Sequence, residues 1–322
     1  MSITTTKILS IESFLPSKVV SNDDLSQKLD TSHEWIYERT GIERRHIVDE
    51  GQFSSDLGYK AAKKVLDASG IAAEEIDAII VATTTSDRRF PSCAAKIQGD
   101  LHATKAFAFD INAACSGFIY ALALADSLIK SRSLKNVLLI GVDTLSLFVD
   151  WTDRSTCVLF GDGAGALILQ SSNDTSSKTG IIATKLYTDG SKYDYILSNQ
   201  GPQNDHRGFL TMAGKSVFKY AIEYMAKSMD EILAENNMTI DDIDWIIPHQ
   251  ANKRIIESLC KMKNFPIEKM ILSIHEHANT SSASIPLAMK EAIDSGKIKR
   301  GDTLLLTAIG AGLVWGSAII KF

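Results

Sequence analysis

Apolar residues recur along this chain in two rhythms, and the two alternate. Over 54–69 (SSDLGYKAAKKVLDAS) they fall three and four apart and stop before Gly70. That spacing predicts an amphipathic helix ended by a glycine. At 78–81 (AIIV) four apolar residues run together and threonines follow, as in a strand buried on both faces. Segments 107–112 (FAFDIN) and 136–144 (NVLLIGVDT) read as further strands, with an apolar helix reaching 131 between them. Earlier, 7–14 reads as a first strand closed by Pro16, and Asn22 as the cap of a short helix. SHEWIYERTG reads as a helix ending at Gly41, GIERRHIV as an extended basic segment, and Pro91 as the opening of a helix. Alternating strands and helices predict an α/β fold with largely parallel pairing.

The pattern then repeats. EEIDAIIVATTTS from Glu74 is answered by DDIDWIIPHQAN from Asp241, at an offset of 167 residues. INAACSGFIYAL is answered by ANTSSASIPLAM, and LKNVLLIG by GDTLLLTAIG, at the same offset of 167, so that Asn112 matches Asn279. This internal duplication predicts two similar βα halves about a pseudo-twofold axis. The polar stretch 171–180 reads as a surface loop between them, giving halves 1–172 and 173–322. The glycines of GDGAGALILQ (161–170) invite a phosphate-loop reading. They lead into a strand rather than a helix, so tight packing of a turn is the better account.

Composition narrows the class. Of 322 residues, 45% are hydrophobic and 23% charged, as in a globular protein with a full core. The net charge of −5 argues against broad nucleic-acid binding. No apolar run is long enough to span a membrane, and the N-terminus does not read as a signal peptide. The four cysteines are scattered without CxxC spacing, which fits the reducing cytoplasm and neither a disulfide framework nor a metal site.

Chemistry enters at Cys115, in DINAACSGFIYAL, where strand gives way to helix. A thiol at a helix N-terminus is biased toward thiolate, and small neighbours let a substrate approach. A buried structural cysteine is the alternative reading. In a duplicated sheet fold, ligands sit beyond the carboxyl ends of strands. Cys115 follows FAFDIN, His249 follows DWIIP and Asn279 follows MILSIHE, so one Cys–His–Asn site is expected. Trp35 and Arg39 lie four apart and share a helix face.

Through DINAACSGFIYAL, IIPHQANKRI, HANTSSASIPLA, WTDRSTCVLFGDGAGA and GAGLVWGSAIIKF, the whole chain resembles the thiolase-fold condensing enzymes of the β-ketoacyl-acyl carrier protein synthase III family. The resemblance implies a layered α-β-α-β-α core. It implies acyl transfer from acyl-coenzyme A to Cys115, then decarboxylative condensation with malonyl-acyl carrier protein, aided by His249 and Asn279. It implies an oxyanion hole of Cys115 and Ala311 backbone N–H groups, with no cofactor, since coenzyme A is substrate. Trp35 and Arg154 would sandwich its adenine and Arg39 meet phosphate; Met212, Gly214, Phe218, Ala251 and Asn252 would line its channel. Phe90 would close the acyl pocket of a partner subunit in a homodimer.

Between 251 and 270 five Lys or Arg face two Glu. Arg254 and Lys261, with Lys219, are therefore the candidate landing site for an acidic carrier protein. Many members have Gly where this chain has Ala278, and three glycines where it has Gly310, Ala311 and Gly312. Each change adds a methyl group that can narrow the pocket. The segment GAGLVWGS lacks the second cysteine of a degradative thiolase, and Asn279 stands where elongating enzymes carry a second histidine. A polyketide- or quinolone-type starter enzyme with another acyl donor, and a non-catalytic carrier-binding scaffold, remain as alternatives.

Overall fold

The apolar runs become the middles of two sheets. A computed structural model describes residues 4–132, 134–173, 179–198 and 208–322. The chain opens with β1 (Thr5–Phe14), β2 (Lys18–Ser21), α1 (Asn22–Ser26), α2 (His33–Thr40) and β3 (Arg44–Ile47). There follow α3 (Ser54–Ser69), β4 (Ala78–Ala82), α4 (Cys93–Asp100), β5 (Phe107–Ile111), α5 (Gly117–Arg132), β6 (Asn136–Thr144) and β7 (Asp162–Ser172). Next come β8 (Gly180–Thr188), β9 (Ile196–Ser198), β10 (Leu210–Met212), α6 (Gly214–Glu235) and β11 (Trp245–Pro248). The remainder is α7 (Lys253–Lys263), α8 (Ile274–His277), α9 (Ser284–Asp294), β12 (Thr303–Gly310) and β13 (Val314–Lys321).

One sheet has the order β1-β7-β6-β4-β5 and the other β11-β12-β13-β8. Read from the opposite edge, the second repeats the first, with Met270 bridging Ile246 where β5 pairs with β4. Side-chain alternation sorts each strand between two cores. In β4, Ala78, Ile80 and Ala82 face a central cluster, while Ile79 and Val81 face an outer one with α3 and α4. In β12, Leu304, Leu306 and Ala308 face the same central cluster, while Leu305 and Ile309 pack with α6 and α7. Helices α5 and α9 fill the space between the sheets through Phe118, Leu122, Ile285 and Met289. The result is the expected stack of helices, sheet, helices, sheet, helices.

Several local expectations change. Ser21, not Asn22, caps α1, because its side chain accepts from the Asp24 N–H; the Asn22 side chain instead donates to Ile42 O and accepts from Arg45. The helix expected to open at Pro91 begins two residues later, at Cys93, with Ser92 as its cap. MILSIHE is not a strand: after the Met270 bridge the chain turns into α8. The glycines of DGAGA lie within β7 rather than a turn. They make room for α9, since a Cβ on Gly165 would meet Pro286 Cβ at 2.5 Å and one on Gly163 would meet Leu287 Cδ1 at 2.9 Å. Of the expected loop 171–180, Ser171 and Ser172 finish β7 and Gly180 begins β8, while 174–178 lie outside the described residues.

Candidate active site

Cys115 sits in a single 3-10 turn, Ala114–Ser116, between β5 and α5. The turn needs Ala114 at φ 47°. Ser116 Oγ donates to Val314 O at 2.9 Å, which ties this turn to the segment after β12. Gly310 ends β12 against the same turn: a Cβ there would meet Cys115 N at 2.6 Å. Only glycine permits that approach, which brings the backbone leading to Ala311 beside the Cys115 amide.

His249 follows β11, its N–H donating to Thr307 O at 2.8 Å. Its Nδ1 is 2.6 Å from Ser284 Oγ at the start of α9. Asn279 is held from the other half of the chain. Its N–H donates to Leu159 O at 2.9 Å, and its carbonyl accepts from Gly161 N–H at 3.1 Å. Its side-chain Oδ1 accepts from Ser281 N–H at 2.9 Å, which leaves the amide NH₂ as the donor end of the side chain. Cys115, His249 and Asn279 all border one cavity of about 510 Å³, together with Ala311 and Asn112.

Burial sets the charges here. It pushes the Cys115 thiol up to about 12; the Asp143 carboxylate adds to this, and a hydrogen bond with the Ser281 hydroxyl opposes it. Desolvation thus opposes the expected bias toward thiolate. The residue nevertheless keeps partial access through the cavity. Burial also pushes His249 down to about 3, so the imidazole is neutral at physiological pH.

Met212, Gly214, Phe218, Ala251 and Asn252 border the same cavity. Asn252 also caps α7 and donates to Arg39 O at 3.0 Å, tying α2 to the cavity mouth. Trp35, Arg39, Arg154 and Phe90 are not on the cavity wall. The Arg39 and Arg154 guanidinium groups lie 4.4 and 5.1 Å from the Trp35 ring centroid, and Arg154 also bonds Asp30. Phe90 is 83% exposed. Arg254 lies 5.9 Å over the Phe218 ring, and Lys219 sits one residue further along α6. Lys261 is in the last turn of α7.

Ala278 does not narrow the pocket, contrary to expectation. Fully buried, it sits in an apolar cluster with Leu25, Ile36 and Ile274 and with Leu145 and Phe160, which do line the cavity; Ala278 itself is not on the wall, whereas Ala311 is. The sequence reading missed Thr84, Ser281 and an apolar wall including Leu145, Phe148, Ile196 and Leu313. Thr84 occupies the duplicate position of Ala251, so the internal repeat carried a signal for it. The wall residues come from unrelated segments and carried none. Among the described residues no cluster of three or more His, Cys, Asp or Glu is placed to hold a metal ion.

The family model for 3-oxoacyl-[acyl-carrier-protein] synthase III matches residues 109–190, and the model for its C-terminal part matches 233–322. A beta-ketoacyl-[acyl-carrier-protein] synthase III of Wolbachia pipientis wMel is 52% identical over 317 residues, covering 98% of both chains. The chain belongs to this family. Its members are condensing acyltransferases, and this chain is the initiating condensing enzyme of fatty acid synthesis. The crystal structure of the Aquifex aeolicus VF5 3-oxoacyl-[acyl-carrier-protein] synthase III superposes with TM-score 0.93 at 45% identity, covering 98% of this chain and 100% of that one. The priming β-ketosynthase of the R1128 polyketide pathway superposes with TM-score 0.92 at 32% identity, covering 98% of this chain and 96% of that one.

Proposed function

We propose that the chain moves an acyl group, acetyl first, from coenzyme A to Cys115 and condenses it with malonyl-acyl carrier protein. The two halves, 1–172 and 173–322, supply the nucleophile and the donors respectively. In the first step the Cys115 sulfur attacks the thioester carbonyl. The new C–S bond forms, the bond to coenzyme A sulfur breaks, and the thiol proton passes to the departing sulfur. No resting thiolate is required. The oxyanion accepts from the backbone N–H groups of Cys115 and Ala311. Adenine inserts between Trp35 and Arg154, with Arg39 at phosphate and the pantetheine arm along Met212, Gly214, Phe218, Ala251 and Asn252.

In the second step malonyl thioester loses carbon dioxide, and the electron pair of the broken C–C bond moves toward the thioester oxygen. His249 Nε2–H and the Asn279 amide donate to that oxygen. Each such donor is worth roughly 10²–10³ in rate. The carbanion attacks acyl-Cys115, a C–C bond forms, and the sulfur leaves and regains a proton. The products are 3-oxoacyl-acyl carrier protein, coenzyme A and carbon dioxide. No cofactor takes part; the chain works in the cytoplasm as a homodimer, with Phe90 of each subunit reaching the other's acyl pocket.

The observation that carries this reading is the convergence of Cys115, His249 and Asn279 on one largely apolar cavity. The test is intact-protein mass after mixing with acetyl-coenzyme A, followed by peptide mapping. One acetyl on Cys115, discharged by malonyl-acyl carrier protein, is expected. The likeness to the R1128 priming enzyme favours a second reading, a starter enzyme with another donor; loading only by longer or unusual acyl groups selects it. Loading by no donor at all leaves the non-catalytic carrier-binding scaffold.

A further inference from the structure

We infer that Ser284 is a positioning residue that fixes His249 as the tautomer carrying its proton on Nε2. The inference rests on His249 acting as a donor to the malonyl thioester oxygen.

The argument is one of hydrogen-bond accounting. Ser284 is the first residue of α9 and is 1% exposed. Its Oγ lies 2.6 Å from His249 Nδ1 and 3.4 Å from Gln250 N, and among the described residues it has no other hydrogen-bond partner. The Gln250 N–H can only donate. A serine hydroxyl has one hydrogen and two lone pairs. If His249 Nδ1 were protonated, Oγ would accept two N–H groups and its own hydrogen would be buried with no acceptor, a costly arrangement. If the hydroxyl donates to Nδ1, all three groups are satisfied. A neutral imidazole with a bare Nδ1 carries its proton on Nε2.

Burial keeps the imidazole neutral, consistent with a single ring proton. The wrong tautomer would aim the Nε2 lone pair at the oxygen where negative charge gathers. Ser284 is itself held in place. Pro286, two residues on, sits so close to β7 that a Cβ on Gly165 would meet it at 2.5 Å. The start of α9 is therefore packed directly against β7, two residues from the hydroxyl.

The test uses the full chain labelled with ¹⁵N-histidine. Long-range ¹H–¹⁵N spectra report which ring nitrogen bears the proton, and the signal lost in His249→Ala assigns it. The Nε2–H pattern is expected in the unmutated chain; the Nδ1–H pattern overturns the inference without any variant at Ser284. In Ser284→Ala, kcat for malonyl decarboxylation is expected to fall about tenfold with KM within twofold. Ser284→Thr, which keeps the hydroxyl, should restore most of it. An unchanged kcat in Ser284→Ala also overturns the inference. If His249→Ala itself decarboxylates normally, the assignment of His249 fails instead, and the two failures are thereby distinguished.

Discussion

Ala278 occupies φ 56°, ψ −158°, a region that L-residues rarely enter. Holding it there costs of order 1–3 kcal/mol. Glycine would relieve that strain but would lose about 0.8 kcal/mol of methyl burial and about 0.4–1 kcal/mol to unfolded-chain entropy. Ala278→Gly should therefore fall between about 1 kcal/mol of destabilisation and about 2 kcal/mol of stabilisation in urea unfolding. Because Ala278 itself does not line the cavity, the acyl-donor range of the variant should be unchanged. A shifted donor range would show that position 278 does shape the pocket.

His249 gives a pH prediction at the same scale. Its folded pKa, about 3, lies below the ordinary histidine value of 6.5. Between those values the unfolded chain binds a proton that the folded chain refuses, so stability is full above pH 6.5 and falls as pH drops toward 3. Asp162, which burial raises to about 6, acts in the opposite sense over part of that window. The informative quantity is thus a difference of slopes. Stability of His249→Ala should fall less steeply from pH 6.5 to 4 than that of the unmutated chain; parallel curves would contradict a buried neutral imidazole.

Between elements, Asp143 at the end of β6 joins the two halves. Its Oδ1 accepts from Thr84 N and the hydroxyls of Thr83, Thr84 and Thr85. Its Oδ2 accepts from Ser282 N and Oγ, in the turn that follows Asn279. An amide keeps a single accepting oxygen, so one of these two sets of donors would face an NH₂ that cannot accept. Asp143→Asn should cost about 2 kcal/mol or more and slow both half-reactions, because Cys115, Ser281 and Asn279 depend on that turn. Thermal unfolding together with acyl loading would check this; an unchanged melting temperature would remove Asp143 as the link. The strand–helix order was legible because buried strands read as continuous apolar runs. The short α8 and the single bridge at Met270 were not, since MILSIHE has a strand's apolar spacing and only tertiary packing turns it aside.

For the whole molecule, the net charge of −5 makes an acidic carrier protein an unfavourable partner except at a local basic site. Several basic side chains near α7 are already engaged: Lys253 pairs with Glu257, Lys263 with Asp230, and Lys269 donates to Ile243 O. Arg254 at the cavity mouth and Lys261 are the better candidates. Lys261→Glu should raise KM for malonyl-acyl carrier protein several-fold at low salt, less at high salt, and leave acetyl-coenzyme A loading unaffected. Equal effects on both substrates would remove the docking assignment.

The amino-acid sequence alone determined most of the strand–helix order and the duplication, and it singled out Cys115, His249 and Asn279 as candidates. These follow from local periodicity and from residue types that keep their chemistry wherever they stand. Only the tertiary structure decided their states. Burial, contributed by segments far apart in the chain, made the Cys115 thiol and the His249 imidazole neutral. Ser284 meets His249 from 35 positions away, and Asp143 meets Ser282 from 139. The methyl of Ala278 turned into the core instead of the cavity because backbone direction, not sequence position, decides which side of a wall a side chain occupies.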